Sequence, residues 1–468
     1  MNTPATIYDL REDQASTVGG LGVKAVFFWM ALGFGCLVGG GFYYFTGIKV
    51  LGAAMVGIVL AVSAFVAPPV AFYLYFAWQV FDAVFLTSPT QIFTPAKAFA
   101  FFIILVYVVS LGRIRHGILV SKSVIAMAAI FGLFGLLTSF QAVVPLRAFV
   151  FSLQILVQSF LVVAALHILD SAKRIHTAFL CCYVAGVVAG MIMLIGGAAS
   201  EQFGRGTLGE YANPTTTGLA LSVSFIALTG LWILKKPKMF YLLCIAGTAP
   251  ILLGIMNTGS RAPLVAIFTA LGFGVLFAKG SGFFKRIIIP AIIAVLIGGT
   301  IIYVLSANIL IGKSQERLEE LVLRQTTAGG FETRTAIWSA AFTTYVEHRF
   351  LLGFGFGNTE PALAQYAGWD KDIHNSLLGP LVDSGPIGFA LFAGALALLF
   401  KKVRGIRNIR MNIIATMIYI YLLLSMLTHT IHFTKWFWIP VTMCLLLVEE
   451  SNRQELSEID WDPEDTLV

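Results

Sequence analysis

The chain has 468 residues, of which 58% are hydrophobic and only 12% charged, and its formal net charge is +7. Many apolar runs reach the roughly 20 residues that a helix needs to cross a bilayer core. This composition excludes a soluble globular protein and predicts a polytopic membrane protein. The positive charge gathers in short connections between apolar runs, so it reports membrane topology and gives no indication of nucleic-acid binding.

The apolar runs predict the architecture. Because a chain in lipid must satisfy its backbone hydrogen bonds internally, and the runs are long rather than alternating short strands, we expect helices. The fold class is therefore all-α, a polytopic bundle of about 12–14 transmembrane helices. The candidate spans, in chain order, are 22–40, 48–66, 69–86, 95–111, 117–138, 147–168, 174–197, 215–234, 239–256, 261–279, 286–305, 385–400, 411–430 and 434–448. The third is rich in aromatic residues and contains Asp82, so an interfacial position is left open for it.

Lys and Arg residues predict the orientation, because short cytoplasmic loops carry the positive excess. From residue 112 onward they fall in every second connection, namely 112–116, 172–174, 235–238, 285–286 and 401–410. The alternate connections then face outward. The predicted segments are a cytoplasmic stretch at 1–21, a helical bundle at 22–305, a long periplasmic loop at 306–376, C-terminal transmembrane helices at 377–448 and an acidic cytoplasmic tail at 449–468.

Several common sequence signals are missing. The polar stretch 1–20 has no apolar region followed by a cleavage site, so we expect no removable signal peptide. All five cysteines lie in apolar spans, which predicts buried side chains rather than disulfides or a metal site. No Gly-rich stretch ends in Lys-Ser or Lys-Thr, which disfavours an ATP-driven machine.

Two outer-face positions have the pattern of a helix start beside an arginine. In "NTGSRAPL" (257–264), Ser260 is a good N-cap and Arg261 lies in the first turn. In "GRGTLGEYANPTTTG" (204–218), an Asn-Pro pair begins another helix, with Arg205 a few residues upstream. Helix N-termini carry partial positive charge, and a nearby guanidinium adds a full one. If the ends converge, they form an anion site.

A third helix start follows a polar cluster. In "DIHNSLLG" (372–379), either Asn375 or Ser376 can cap the segment that begins next to His374. The predicted topology points this helix inward from the outer face, as it does the other two. We therefore expect the histidine and the anion site on one side of the membrane.

The long outer loop contains further polar residues. The segment 313–325 has apolar residues on one side and charges elsewhere, as an interfacial helix would. Arg334 and Trp338 are four apart and share a helical face. The glycines of "GFGFGN" (353–358) permit a tight backbone path. Such a loop is suited to lie over the membrane mouth as a lid.

These motifs together resemble a known family. "NTGSRAPL", then Arg334 and Trp338 ahead of "LLGFGFGN", then "HNSLLGPLVDSGPIG", are similar to the bacterial O-antigen ligase family, which includes O-antigen and exopolysaccharide polymerases. The resemblance covers roughly residues 200–400. It implies a multi-pass inner-membrane protein that transfers a glycan from undecaprenyl diphosphate to an acceptor at the periplasmic face, without metal or other cofactor. It implies that Arg261 and Arg334 hold the diphosphate and that His374 acts at the acceptor.

The chemistry of the residues agrees with this implication. Glycosyl transfer from a lipid diphosphate develops negative charge on the leaving group. Guanidinium groups and helix N-termini can stabilise that charge, and Arg205 is a further candidate for this role. The acceptor hydroxyl must lose a proton, and a histidine such as His374 can take it. Asp372 or Asp370 can orient that histidine. Asn375, Ser260 and Trp338 are predicted to support the site.

Each residue also has a simpler interpretation. His374 can be a plain interfacial side chain, Arg261 can reach the headgroups, Arg334 can stack on Trp338, and Arg205 can be an ordinary loop charge. We interpret His429 and His432 as part of an interfacial belt, because the neighbouring Trp436 and Trp438 favour headgroups. Asp82 and Asp383 lie in or near apolar runs and are either functional or at span ends.

Three functions remain open beside the ligase. A polymerase of the same family would use a growing polysaccharide as acceptor instead of lipid A-core, and no residue reports that choice. A polysaccharide or lipid transporter would also have many helices, but it should show ionisable residues through the span centres and an internal repeat. A purely structural member of an envelope assembly is the third. The expected partners are the lipid-linked glycan donor, the saccharide acceptor and membrane lipids, with no nucleic acid.

Overall fold

The computed structural model describes residues 67–81, 95–111, 120–196, 207, 214–234, 242, 244–258, 260–277, 329–369 and 371–459. These residues form thirteen α-helices and no strand, which confirms the all-α fold class. The helices are α1 (Pro68–Phe81), α2 (Pro95–Ser110), α3 (Lys122–Thr138), α4 (Pro145–Ile168), α5 (Ala172–Gly196), α6 (Pro214–Gly230), α7 (Thr248–Asn257), α8 (Arg261–Phe277), α9 (Gly329–His348), α10 (Thr359–Ala367), α11 (Leu378–Arg404), α12 (Ile409–Thr428) and α13 (Lys435–Ile459).

Several of these helices have the length and composition of membrane spans. Within the described ranges, five qualify: Lys122–Gln141, Pro145–Ile168, Ala172–Ile195, Leu378–Arg404 and Ile409–Thr428. The chain is therefore a polytopic helical membrane protein. The predicted spans at 22–40, 48–66 and 286–305, the predicted helix at 313–325 and Asp82 lie outside the described residues.

Two helices extend beyond the predicted spans. α11 begins at Leu378 rather than 385, because the helix continues across a kink at Gly385. α13 continues to Ile459 rather than stopping near 448. Its polar last turns are supported by side-chain pairing, since Glu450 accepts hydrogen bonds from Arg453 at 3.1 Å and Gln454 at 3.0 Å. Hydropathy finds the apolar part of a helix, whereas capping and side-chain pairs decide where it ends.

The chain divides into two compact units. The described residues of the first are 67–71 and 105–110, and the second contains the other described residues. Within the first unit, the Ser110 hydroxyl donates to the carbonyl of Val106 at 2.6 Å, one helical turn earlier. The candidate site lies in the second unit.

In the second unit, the N-termini of α6 and α8 are adjacent. A Cβ atom built on Gly218 in α6 would lie 3.2 Å from Pro263 and 3.5 Å from Ser260, at the start of α8. A residue larger than glycine would therefore crowd these two helix ends. The starts of α6 and α8 therefore lie at the same end of the bundle, which we call the site face.

α12 runs in the opposite direction to α6 and α8, because Met417 lies beside Gly274 near the end of α8, whereas Tyr421 lies beside Ser222, nearer the start of α6. The C-terminus of α12 therefore reaches the site face. The hydroxyls of Ser222 in α6 and Tyr421 in α12 are 2.5 Å apart. Nearer the end of α12, Met426 accepts a hydrogen bond from the amide of Ser376 at 2.7 Å, just before α11 begins. The N-terminus of α11 therefore joins those of α6 and α8 on the site face.

The kink in α11 holds a neighbouring loop. Gly385 has φ 67°, and Pro386 follows it inside the helix. Proline lacks an amide N–H, so the carbonyl four residues earlier, that of Val382, has no helical donor. The amide of Phe354 donates to that carbonyl at 3.1 Å. The glycine-rich loop 353–358 thereby replaces hydrogen bonds that the kink removes.

Asp383 completes this attachment. Its backbone carbonyl accepts from the amide of Gly355 at 2.8 Å. Its carboxylate accepts from the amide of Gly357 at 2.9 Å and from the Thr359 hydroxyl at 2.7 Å. A Cβ atom on Gly353 would lie 2.4 Å from the Asp383 backbone, so only glycine permits the approach. Asp383 thus lies buried beneath the loop, with both carboxylate oxygens occupied.

Candidate active site on the site face

His374 lies on a short segment between α10 and α11, residues 371–377, which we call the arm. Its backbone has φ 46°, the only positive φ of a non-glycine residue in the described part of the chain. That left-handed conformation usually costs about 1–2 kcal/mol, so other contacts must stabilise it. The imidazole side chain is 50% exposed and therefore accessible to a substrate.

Asp372 holds both the backbone and the ring of His374. Its Oδ2 lies 3.2 Å from His374 Nδ1, and its Oδ1 accepts from the His374 amide at 3.4 Å. The Thr430 hydroxyl also donates to Oδ1, at 2.9 Å. Burial raises the pKa of Asp372, but these hydrogen bonds and the charge of His374 outweigh it, so the pKa lies below its usual value. A charged carboxylate at Nδ1 favours the tautomer that leaves Nε2 as acceptor.

α9 holds the arm from one side. Trp338 Nε1 donates to the carbonyl of Ile373 at 2.7 Å, directly before His374. Arg334 lies one helical turn earlier on α9 and is exposed. Its positive charge is one of the smaller causes that lower the pKa of His429. The two residues that sequence spacing put on one helical face therefore both lie toward the arm.

The start of α11 holds the other end of the arm. Asn375 Oδ1 accepts from the amides of Leu377 at 2.9 Å and Leu378 at 3.0 Å, so it satisfies free donors of the first turn. Ser376, the alternative capping residue, has a different role. Its hydroxyl donates to the carbonyl of His429 at 2.6 Å and accepts from the amide of Ile431 at 2.6 Å.

These bonds attach the arm to residues 429–434, the α12–α13 connection. The prediction of an interfacial belt here is wrong, because His429, His432, Trp436 and Trp438 are all buried in the protein. Their aromatic neighbours are typical of a headgroup belt, whereas the connection is held against the arm by these hydrogen bonds. Burial, with the positive charges of His374 and Arg334, lowers the pKa of His429 to about 4, so this ring stays neutral near pH 7.

His432 lies deeper. Burial lowers its pKa to about 3, and neither ring nitrogen has a hydrogen-bond partner among the described residues. The ring lines a largely apolar cleft formed otherwise by α3, α4, α11 and α13. The ring also lies close to the start of α11, since a Cβ atom on Gly379 would lie 2.9 Å from His432 Cε1.

Only some of the predicted anion-binding groups lie within the described residues. α8 begins at Arg261, but the side chain of Arg261 lies outside the described residues, as do Arg205 and Asp370. The Ser260 amide donates to the Thr258 hydroxyl at 3.1 Å, next to the start of α8. The structure thus brings together His374, Asp372, Trp338 and Arg334, and it places the helix start at Ser260 on the same face. Within the described ranges, no three His, Cys, Asp or Glu side chains form a group that could hold a metal ion.

Comparison with known families bears on this arrangement. A family model described as O-antigen ligase matches residues 243–393. The chain carries an O-antigen ligase domain. The family suggested by the motifs is thereby confirmed, and the domain supports a ligase or polymerase type of membrane glycosyltransferase. Comparison with curated proteins finds no match.

The O-antigen ligase domain contains most of the candidate site. It includes α8, Arg334, Trp338 and the whole arm with Asp372 and His374. It ends inside α11, so the α12–α13 connection lies beyond the match although it contacts the arm. Sequence reasoning missed the contribution of Thr430. The one available signal was a polar "THT" run at the end of an apolar span.

Proposed function

We propose that the protein transfers a glycan from an undecaprenyl-diphosphate carrier to a saccharide acceptor at the site face, which we assign to the periplasmic side of the inner membrane. One observation carries the proposal: within the O-antigen ligase domain, an accessible histidine is held by a carboxylate at the end of the bundle where α6, α8 and α11 begin. A base and a positively charged end of the bundle are the two elements that such a transfer requires.

The donor's diphosphate binds on the positive part of the face. We assign it to Arg261 and Arg334, with Arg205 as a further candidate, and to the amides at the starts of α6 and α8. Guanidinium groups form paired hydrogen bonds with phosphate oxygens, and helix N-termini favour anions. Charge that develops on the leaving diphosphate is stabilised by these fixed groups, so the proposed transfer proceeds without a metal ion.

His374 acts at the acceptor. With Nδ1 directed to Asp372, Nε2 is free to accept the proton of an acceptor hydroxyl. The hydroxyl oxygen forms a bond to the anomeric carbon as the bond between that carbon and the diphosphate oxygen breaks. The electron pair leaves with undecaprenyl diphosphate, and the proton on Nε2 passes to solvent afterwards. Asp372 stabilises the imidazolium formed in between.

The test is a transfer assay in proteoliposomes. The full chain is incubated with an undecaprenyl-diphosphate-linked glycan and, in separate reactions, with lipid A-core or with a second lipid-linked glycan as acceptor. We expect a product of higher mass in one reaction, and the productive acceptor distinguishes ligase from polymerase. Transfer in neither reaction, with movement of the lipid-linked glycan across the bilayer, would instead support a flippase.

A further inference from the structure

The α12–α13 connection contributes a hydroxyl to the site that the proposed function does not use. Thr430 is partly buried, and its Oγ1 donates to Asp372 Oδ1 at 2.9 Å. The other oxygen of the same carboxylate lies 3.2 Å from His374 Nδ1. The carboxylate therefore stands between a threonine of the connection and the histidine of the arm.

Thr430 is held in place by the backbone on both sides. Ser376 in the arm bonds to the carbonyl of His429 and to the amide of Ile431, the two residues that flank Thr430, each at 2.6 Å. The position of the Thr430 hydroxyl relative to the arm is thus set by two further hydrogen bonds. A short polar side chain fixed in this way can restrict the rotation of a neighbouring carboxylate.

Asp372 needs such a restriction. It is itself one-third exposed, at 36% of the side chain. It bonds the amide of His374 through the same oxygen that accepts from Thr430. Without the threonine, that oxygen has only the long contact of 3.4 Å to the amide, and the carboxylate can rotate away from Nδ1. The tautomer and orientation of the imidazole depend on that carboxylate.

We propose that Thr430 is a positioning residue for His374, acting through Asp372. This inference rests on the proposed function, since it assumes that His374 takes the acceptor proton. Removal of outer-shell groups that orient metal-ligating histidines costs on the order of 10–100-fold in affinity or activity, and we expect a change of the same order here. The residue lies outside the O-antigen ligase domain, so the site as a whole extends beyond it.

The first experiment removes and restores the hydroxyl. Thr430→Val keeps the side-chain shape and should lower kcat on the order of 10–100-fold while the KM for the lipid-linked donor stays the same. Thr430→Ser should recover most of the rate, because it returns the O–H group. Thr434→Val is the matched control, since this threonine lies in the same connection but its hydroxyl donates to the carbonyl of Ile431 at 2.9 Å. It should behave like the parent.

The second experiment asks whether Thr430 acts through Asp372. In a double-mutant cycle, Thr430→Val should have no further effect on kcat in the Asp372→Asn background. Both changes interrupt the same hydrogen-bonded path from Thr430 through Asp372 to His374. An equal loss in both backgrounds would overturn the inference. If Thr430→Val reaches the membrane at a lower level, Thr430→Ala takes its place in the cycle.

Failure of the inference can be told from failure of the proposed function. If His374→Ala retains parental transfer, the function assigned to the arm is wrong whatever Thr430 does. If His374→Ala is inactive while Thr430→Val and Thr430→Ala match the parent, only the role of Thr430 is wrong. All variants are assayed as the full chain in proteoliposomes, with undecaprenyl-diphosphate-linked glycan as donor and the productive acceptor identified above.

Discussion

At the scale of single residues, the arm combines an unfavourable backbone with a chemically useful side chain. His374 has a left-handed φ, which costs free energy. Asp372 accepts a hydrogen bond from the His374 amide, and Trp338 donates to the carbonyl of Ile373, the residue before it. Strained residues that neighbouring contacts hold in place are frequent at active sites. The strain is consistent with a side chain that must be presented in one direction.

The proton-transfer role makes a direct prediction. His374→Ala should lower transfer by about 10²–10⁴-fold while donor binding remains, because the arginines and helix ends are unchanged. His374→Gln keeps a hydrogen-bonding group but takes no proton, so activity well above that of the alanine variant would indicate orientation rather than base catalysis. Product formation and donor binding are measured in proteoliposomes.

The histidine control is the last residue of α9. His348 stacks on Tyr366 with ring centroids 4.3 Å apart and is outside the arm. His348→Ala should transfer at the parental rate. Near-parental activity of His374→Ala at normal protein level would rule out the catalytic role, and the cluster would then only cap a broken helix.

The diphosphate role predicts a different kinetic change. Arg334→Lys keeps the charge but loses the planar paired donors, so the KM for the donor should rise by about tenfold or more, since charged hydrogen bonds contribute about 1.5–3 kcal/mol. Arg349→Lys, on the turn after α9, serves as control and should leave the KM unchanged. An unchanged donor KM in Arg334→Lys would remove this residue from the diphosphate site.

At the scale of elements, the glycine-rich loop is attached to the kink in α11. This attachment fixes the position of α9 relative to the arm. The loop 353–358 bonds to carbonyls that the kink exposes, and Asp383 binds the loop from inside. A flexible loop alone would leave Trp338 and Arg334 free to move relative to His374. The broken helix is therefore a part of the site's construction.

Two glycines with nearly equal φ test this attachment. Gly353 has φ 69° and its added Cβ would meet the Asp383 backbone at 2.4 Å, whereas Gly368 has φ 70° with nothing within 4 Å. Both alanine variants should lose about 1–2 kcal/mol from left-handed strain. Gly353→Ala should lose clearly more, because backbone atoms must move. Thermal unfolding midpoints in detergent are compared, and equal losses would contradict the close approach.

The buried histidines of the α12–α13 connection predict a pH dependence. His432 has a pKa of about 3 when folded, against about 6.5 in an unfolded chain. Below pH 6.5 the unfolded chain binds one more proton, so stability is full above that value and falls as pH drops toward 3. Between pH 7 and pH 5 the parent should lose about 2 kcal/mol from this group.

His432→Leu removes that titration and should flatten the change between pH 7 and pH 5. His429 remains in both proteins and contributes equally, so the difference isolates His432. Thermal unfolding midpoints are measured at both pH values. The same pH dependence in parent and variant would mean that His432 is solvated in the folded protein.

At the scale of the whole molecule, the distribution of charge predicts its orientation in the membrane. Lys401, Lys402 and Arg404 end α11, and α11 begins on the site face, so the basic cluster lies at the opposite end of that span. The positive-inside rule then places the site face outside the cytoplasm.

Reporter fusions check the orientation directly. A reporter after residue 330, at the start of α9, should report a periplasmic position, and one after residue 405, just past α11, a cytoplasmic one. Alkaline phosphatase and green fluorescent protein fusions give opposite signals at each position. A reversed pattern would place the arm on the cytoplasmic side and remove access to the proposed substrates.

The amino-acid sequence by itself determined the membrane class, the helical fold and the positions of several described helices. α4 and α5, for example, lie within two residues of the predicted 147–168 and 174–197. These features depend on local hydropathy and on the need to satisfy backbone hydrogen bonds within each segment. Both are local properties of the sequence. The arm was also found from sequence, because His374, Asp372 and Asn375 are neighbours there.

Only the tertiary structure decided which distant residues support the arm. Thr430 is 58 positions from Asp372, and Gly357 is 26 positions from Asp383, yet each pair shares a hydrogen bond. The same sequence stretch around His429 and His432 suits a headgroup belt and a buried connection equally well. Which one forms depends on where neighbouring helices leave space, since burial is set by the packing of the whole bundle rather than by the residues' own polarity.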